Sequence, residues 1–156
     1  MYSKKRKKGN IAEEVVVSYL KNVGFQILDQ NYLRKWGEID IVAEKSRKIY
    51  FIEVKSSVLR NIDSFIGTYS NENWEIRILD DYDAVSRETE VIFNPVWNMT
   101  NKKKVRFSRI IRTYLADRYH ENMPDFQVDL VSVLLDFFQE IAYIRRIENI
   151  LLDLEY

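Results

Sequence analysis

The chain contains no cysteine, one histidine, two prolines and four glycines among 156 residues. Without cysteine there is no disulfide, no thiolate nucleophile and no zinc-thiolate centre. His120 alone cannot build an imidazole cluster for a metal, and near a helix end it reads as a surface residue. No apolar run approaches the roughly 20 residues of a membrane span, and no hydrophobic signal segment follows the basic N-terminus. A cytoplasmic protein without membrane contact is therefore expected. Proline and glycine are scarce and no repeat or low-complexity stretch is visible. With 46% hydrophobic residues, the length suits one core and is short for two, so a single domain over 1–156 is expected.

What is present is charge, sorted by sign. The formal net charge is zero, yet residues 1–60 carry 13 basic residues against 7 acidic, residues 61–100 carry 2 against 8, residues 101–120 carry 7 against 1, and residues 121–156 carry 2 against 8. Local positive surface governs affinity for nucleic acid, because Lys and Arg that meet phosphates release condensed counterions. Arg34 and Lys35 form one basic group; Lys102, Lys103, Lys104, Arg106, Arg109 and Arg112 form another. Of these, Arg34, Lys35, Lys103, Lys104 and Arg109 are the candidate phosphate contacts. The run from Lys4 to Lys8 reads as a disordered basic tail over 1–9, and a solvated helix face is the plainer account of the second group.

Hydrophobic spacing predicts an α/β core. Residues 10–23 place Ile11, Val15, Val16, Tyr19, Leu20 and Val23 at helical intervals, with Asn10 as N-cap and Gly24 as the stop. Glu13 and Glu14 then fall in the first turn, where acids complement the helix dipole. Residues 25–34, 38–44 and 48–56 read as strands. A second helix over 101–120 turns Val105, Ile110, Tyr114 and Leu115 inward. Phe126 to Leu135 reads as a buried strand, and 137–154 is ambiguous between strand and helix. Residues 57–100 read as an insertion or flap. It holds possible strands at Trp74–Leu79 and Glu90–Phe93, an acidic turn at Asp80–Asp83, and Trp74 and Trp97 as core aromatics or base-stacking residues.

The segments Gly37-Glu38-Ile39-Asp40 and Phe51-Ile52-Glu53-Val54-Lys55 alternate apolar and charged residues. Joined as a hairpin through a four-residue loop, Lys45 to Lys48, they set Asp40 opposite Glu53 and Glu38 opposite Lys55. Opposed carboxylates repel unless one is protonated or a cation lies between them. A divalent ion resolves the conflict, and hard oxygen ligands suit Mg²⁺ or Mn²⁺. Such an ion polarises a phosphate and acidifies water, which makes phosphodiester hydrolysis the natural chemistry. Lys55, two residues from Glu53 on the same strand face, can orient the water or stabilise developing charge. The plainer reading is an exposed sheet face bearing cross-strand ion pairs.

These segments resemble a known family. Ala12-Glu13, Leu20, Gly24-Phe25, Ile27-Leu28, Asn31-Tyr32 and the two hairpin segments are similar to the YraN-like family of proposed endonucleases. The likeness continues in Asn98-Met99-Thr100 with Lys103, in Tyr114-Leu115, and in Phe126 to Val131. The resemblance implies a restriction-endonuclease-like, or PD-(D/E)xK, nuclease fold: a three-layer α/β/α arrangement with a central mixed sheet, related to Holliday junction resolvases. It further implies metal ligands at Asp40 and Glu53, a metal-binding helix glutamate at Glu13, and a catalytic lysine at Lys55. The expectation is a metal-dependent endonuclease acting on DNA rather than RNA, with branched or single-stranded forms as candidate substrates and a homodimer as a candidate assembly. The Val54 carbonyl is a further oxygen ligand in this reading. Two rivals stand beside it: a non-catalytic nucleic-acid-binding module that keeps the fold, and an interaction protein that pairs its charged blocks between subunits.

Overall fold

A computed structural model of the chain describes residues 4–58, 74–79 and 101–150. In chain order these form α1 (Lys4–Asn22), β1 (Gln26–Arg34), β2 (Gly37–Lys45), β3 (Lys48–Val58), β4 (Glu75–Ile78), α2 (Asn101–Tyr119), β5 (Phe126–Asp136) and β6 (Ile141–Ile147). The six strands make one sheet in the order β1-β2-β3-β5-β6-β4. β1, β2 and β3 pair antiparallel, whereas β4 lies parallel to β6. This is an α/β fold with a mixed sheet and, among the described residues, two helices, consistent with the three-layer arrangement expected. β5 agrees with it: Val128 to Asp136 is buried at every position, the pattern of an inner strand covered on both faces.

α1 starts six residues before the expected cap at Asn10, so residues 4–9 are helical rather than a free tail. Lys and Arg are good helix formers, and a run of them carries no apolar period from which a start can be read. The shift also moves Glu13 and Glu14 out of the first turn, which removes the dipole explanation for them. The other end follows the sequence. Gly24, at φ 89°, donates its N–H to the Lys21 carbonyl at 3.1 Å, and Phe25 donates to the Leu20 carbonyl at 2.9 Å. This is a Schellman cap closed by two buried apolar side chains, Leu20 and Phe25. Lys45 adds a cation there, donating from Nζ to the Val23 carbonyl at 2.7 Å.

Two compact units interleave along the chain. The first holds α1 through Tyr19, β3 from Val54, β4, and the chain from Val131 through β6 to Arg146. It buries Ala12, Val15 and Val16 of α1 together with Val133, Leu134, Leu135 and Ile144 of the strands. β6 resolves the ambiguity of 137–154 in favour of a strand over Ile141–Ile147. The turn before it is held by Asp136, whose Oδ1 accepts from the N–H groups of Phe138 at 2.9 Å and Gln139 at 3.1 Å. The expected strand at Trp74–Leu79 is present as β4, with Trp74 edge-on to Phe137 at 5.3 Å between ring centroids. Glu90–Phe93, Asp80–Asp83, Trp97 and Asn98–Thr100 lie outside the described residues.

The second unit holds Leu20 to Glu53, α2 and the chain onward to Leu130, and the segment after Ile147. Its core joins Val42, Ile49 and Phe51 of the hairpin to Phe107, Ile110, Ile111, Tyr114 and Leu115 of α2. Those five helix positions follow an i, i+3, i+4, i+7, i+8 stripe. Val105 sits about 200° from Phe107 on that helix and is 49% exposed, so its expected inward place is corrected. Each fully buried large side chain contributes roughly 1.5–3 kcal/mol.

Candidate functional site

The β2–β3 hairpin is tighter than the four-residue loop expected. Lys45 pairs directly with Lys48, leaving a two-residue turn at Ser46-Arg47 with φ of 52° and 63°. Both residues take the left-handed conformation that a type I′ turn requires. The register is unchanged by this, since Val42 pairs with Phe51 and Ile41 with Ile52. The paired residues end at Ile41 and Ile52, one step short of the expected opposition of Asp40 and Glu53.

Glu53 is 6% exposed, and Asp40 is half-buried. A buried ionised carboxylate needs a compensating charge or it protonates. Glu53 receives one from α2: Lys103 donates from Nζ to Glu53 Oε1 at 2.7 Å. Lys103, expected as a phosphate contact, is therefore bound to the acid. The cation that the opposed carboxylates call for is here an ammonium. Lys103 keeps 44% of its side chain in water, so the pair sits at a mouth rather than in a sealed core.

That mouth is a cleft of about 350 Å³ lined by Trp36, Gly37, Glu38, Glu53 and the α2 residues Lys102, Lys103 and Arg106. A second cleft of about 430 Å³ adjoins it, lined by Arg34, Lys35, Trp36, Gly37, Arg106 and Arg109. Trp36, Gly37 and Arg106 belong to both. Of the expected phosphate contacts, Arg34, Lys35 and Arg109 line the second cleft and Lys103 the first, whereas Lys104 lines neither. Trp36 was not singled out from the sequence. The available signal was an aromatic residue between two cations and a glycine, at a break between two strands. Lys35-Trp36 is a two-residue turn between Arg34 and Gly37, and Gly37 follows at φ 147°, which glycine adopts with ease.

The C-terminal half of α2 fixes the cations of its first half in place. Tyr114 donates its hydroxyl to Asp29 at 2.6 Å and stacks edge-on with Tyr32 and Phe51, at 4.9 and 5.5 Å between centroids. Arg118 reaches Asp29 at 3.3 Å. Tyr32 donates to Asp117 at 2.8 Å, and Arg34 reaches the same carboxylate at 3.3 Å. Burial first, and then the bond to Asp29, push the Tyr114 phenol well above its ordinary value. Burial and Asp117 raise Tyr32 likewise, while the Tyr32 hydrogen bond, followed by Arg34, holds Asp117 below the usual carboxylate range.

A second buried carboxylate, Asp129, has different company. Its Oδ1 accepts from Gln127 Nε2 at 2.7 Å and from the Asn149 N–H at 2.9 Å. Gln127 in turn accepts from Lys48 at 2.8 Å. Those bonds tie β5 to the hairpin and to the chain after β6. Lys55 is exposed on β3, two residues past Glu53, and Glu13 is half-buried on α1 in the first unit. Among the described residues no group of three or more His, Asp and Glu side chains is gathered for a metal ion. No helix among them is long and apolar enough to cross a membrane.

Fold and site define a mixed-sheet α/β protein with a buried carboxylate at the mouth of a basic, tryptophan-walled cleft. The chain belongs to the uncharacterised protein family UPF0102, whose profile matches residues 12–78. It is 30% identical to a UPF0102 protein of Helicobacter pylori over 131 residues, 84% of each chain. It is 30% identical to a UPF0102 protein of Fervidobacterium nodosum over 114 residues, 61% of this chain and 86% of the relative. A UPF0102 protein of a Sulfurihydrogenibium species shares 43% identity over 60 residues, 38% of this chain and 52% of the relative. The matched segment takes in Glu13, Asp40, Glu53 and Lys55.

Proposed function

We propose that the protein is a metal-dependent endonuclease that hydrolyses phosphodiester bonds in DNA. The observation that carries this reading is Glu53: a carboxylate withdrawn from water, holding a cationic group at 2.7 Å, at the mouth of a cleft lined by basic residues. A folding core has little use for such an acid, since an ion pair of this kind is often neutral or costly beside an apolar pair. A site that must hold a divalent cation beside a polyanion has use for both the acid and the rim.

The donors fit Mg²⁺ or Mn²⁺. Asp40 and Glu53 offer hard oxygens from paired strands, and Glu53 already supports a positive charge. In this proposal the two of them hold the ion. When bound, the ion supplies Lewis acidity toward a phosphate oxygen and an attacking water. The chain's own residues do the rest. Lys103 pairs with Glu53 before loading. Lys55 orients the water and meets the charge that develops on phosphorus. Arg106, with Lys102, draws the phosphate backbone to the mouth by charge.

The test is cleavage of single-stranded, duplex and branched DNA, and of RNA, with Mg²⁺ or Mn²⁺. Lys55→Ala is expected to lose roughly a hundredfold or more in rate with binding nearly intact. If the protein cuts no form and Asp40→Asn changes nothing measurable, the enzyme reading is wrong. The reading favoured next is the binding module, which keeps the basic cleft and needs no metal.

A further inference from the structure

We propose that the cleft beside the Lys35-Trp36 turn binds an unpaired nucleotide, with its base against the Trp36 ring and its phosphate on Arg34, Arg106 and Arg109. This rests on the nucleic-acid reading above and adds the class of substrate. Among the described residues, four cations and no carboxylate line the cleft, a composition suited to a phosphate and unsuited to a cationic or neutral metabolite. Phosphate contacts alone need no aromatic residue, yet the wall shared with the Glu53 cleft is an indole.

Trp36 is half-buried, and its ring is approached by two cations, Lys35 Nζ at 4.0 Å and the Arg109 guanidinium at 5.9 Å from its centroid. The ring is therefore positioned before any ligand arrives. A cation over an exposed indole contributes a few-fold in binding terms. Stacking a base on an aromatic side chain contributes about tenfold or more per base. An incoming base therefore displaces Lys35 from the indole, and Lys35 is released toward the phosphate next to that base. Bases inside a duplex already have both faces covered, so the indole selects a base outside the stack: a single strand, a flap or a junction arm. Because Trp36, Gly37 and Arg106 line both clefts, a nucleotide seated there puts the adjoining phosphodiester at the mouth that holds Glu53.

The test uses the full chain without divalent metal, so that nothing is cut. Fluorescence anisotropy compares a labelled thymidine oligonucleotide with a blunt duplex of equal length, and a strand carrying 2-aminopurine reports stacking directly. Wild type is expected to prefer the single strand and to quench 2-aminopurine. Trp36→Ala is expected to lose about tenfold in single-strand affinity with little change on the duplex, and Trp36→Phe to retain most of it. Should Trp36→Ala misfold by circular dichroism, the wild-type quenching and its reduction in Trp36→Phe decide the matter. Equal binding of single strand by wild type and Trp36→Ala, or an unquenched probe on bound wild type, overturns this inference and leaves the nucleic-acid reading standing. If wild type binds neither form at low salt, that reading falls and this one with it.

Discussion

The two ends of α2 use the same basic residues to opposite effect. At the C-terminal end, Arg118 reaches Asp29, and Asp117, which takes the Tyr32 hydroxyl, also meets Arg34, all above the buried Tyr114. There each cation has a carboxylate partner and the result is anchorage. At the N-terminal end, Lys102, Lys103, Arg106 and Arg109 line two clefts in which, among the described residues, Glu38 and Glu53 are the only acids. Positive charge is concentrated where a polyanion could use it. One helix thus has a fixed end and a working end, and the fixed end sets the position of the other.

The comparison is broken most severely at the anchor. Tyr114→Ala removes a fully buried ring that touches two others, and is expected to cost roughly 3–5 kcal/mol in urea unfolding. Tyr114→Phe keeps the ring and loses only the bond to Asp29, for about 1–2 kcal/mol. That pair of variants also has a pH signature. Burial raises the folded-state pKa of Tyr114, so its contribution is complete below the unfolded value near 10 and is lost as pH rises beyond it. Tyr114→Phe should flatten the alkaline limb of the stability curve. Asp117 behaves in the opposite sense: its folded pKa is lowered, so its contribution is present above the unfolded value of about 4 and is lost as pH falls through the folded one. Asp117→Asn should flatten the acid limb.

At the working end the stability effects shrink. Lys103→Met leaves Glu53 without this partner but opens it to water and buffer cations, because the lysine is nearly half exposed; about 1 kcal/mol is expected, with Mn²⁺ binding unchanged or tighter because an internal competitor is gone. A loss of several kcal/mol would make the pair a structural element. The smallest change is Val105→Ala, expected within about 0.5 kcal/mol because the side chain is exposed. A cost above about 2 kcal/mol would place α2 in the wrong rotation.

How much of this was legible depended on whether a residue's neighbours were local. Gly24 ended α1 as read, because a Schellman cap is written in a few consecutive residues. Strand positions and the register of Ile41 on Ile52 followed from two-residue alternation and a short turn. The phase of α2 did not, since Val105 fits a helical stripe nearly as well as Phe107 until the sheet selects one. The helix over residues 4–9 had no apolar period to betray it. Asp129 lies in the apolar stretch Phe126 to Leu135, where the bond from the Asn149 N–H, twenty residues on, is not legible beside that from nearby Gln127. The Lys103–Glu53 pair was invisible for the same reason, and Trp36 had only a weak local signal, because residues 36 and 106, or 53 and 103, meet only once α2 lies across β2.

Asp129 and Glu53 sharpen the central claim. Both are buried acids of the same unit; Asp129 accepts from the Gln127 amide and the Asn149 N–H, and Glu53 accepts from a half-exposed ammonium. The proposed function has the second exchange its partner for a metal. Calorimetric titration of the intact chain with Mn²⁺ tests this most directly: about one ion per chain is expected, with uptake lost in Glu53→Gln. Uptake that persists undiminished in Glu53→Gln, or no uptake by wild type, would contradict it.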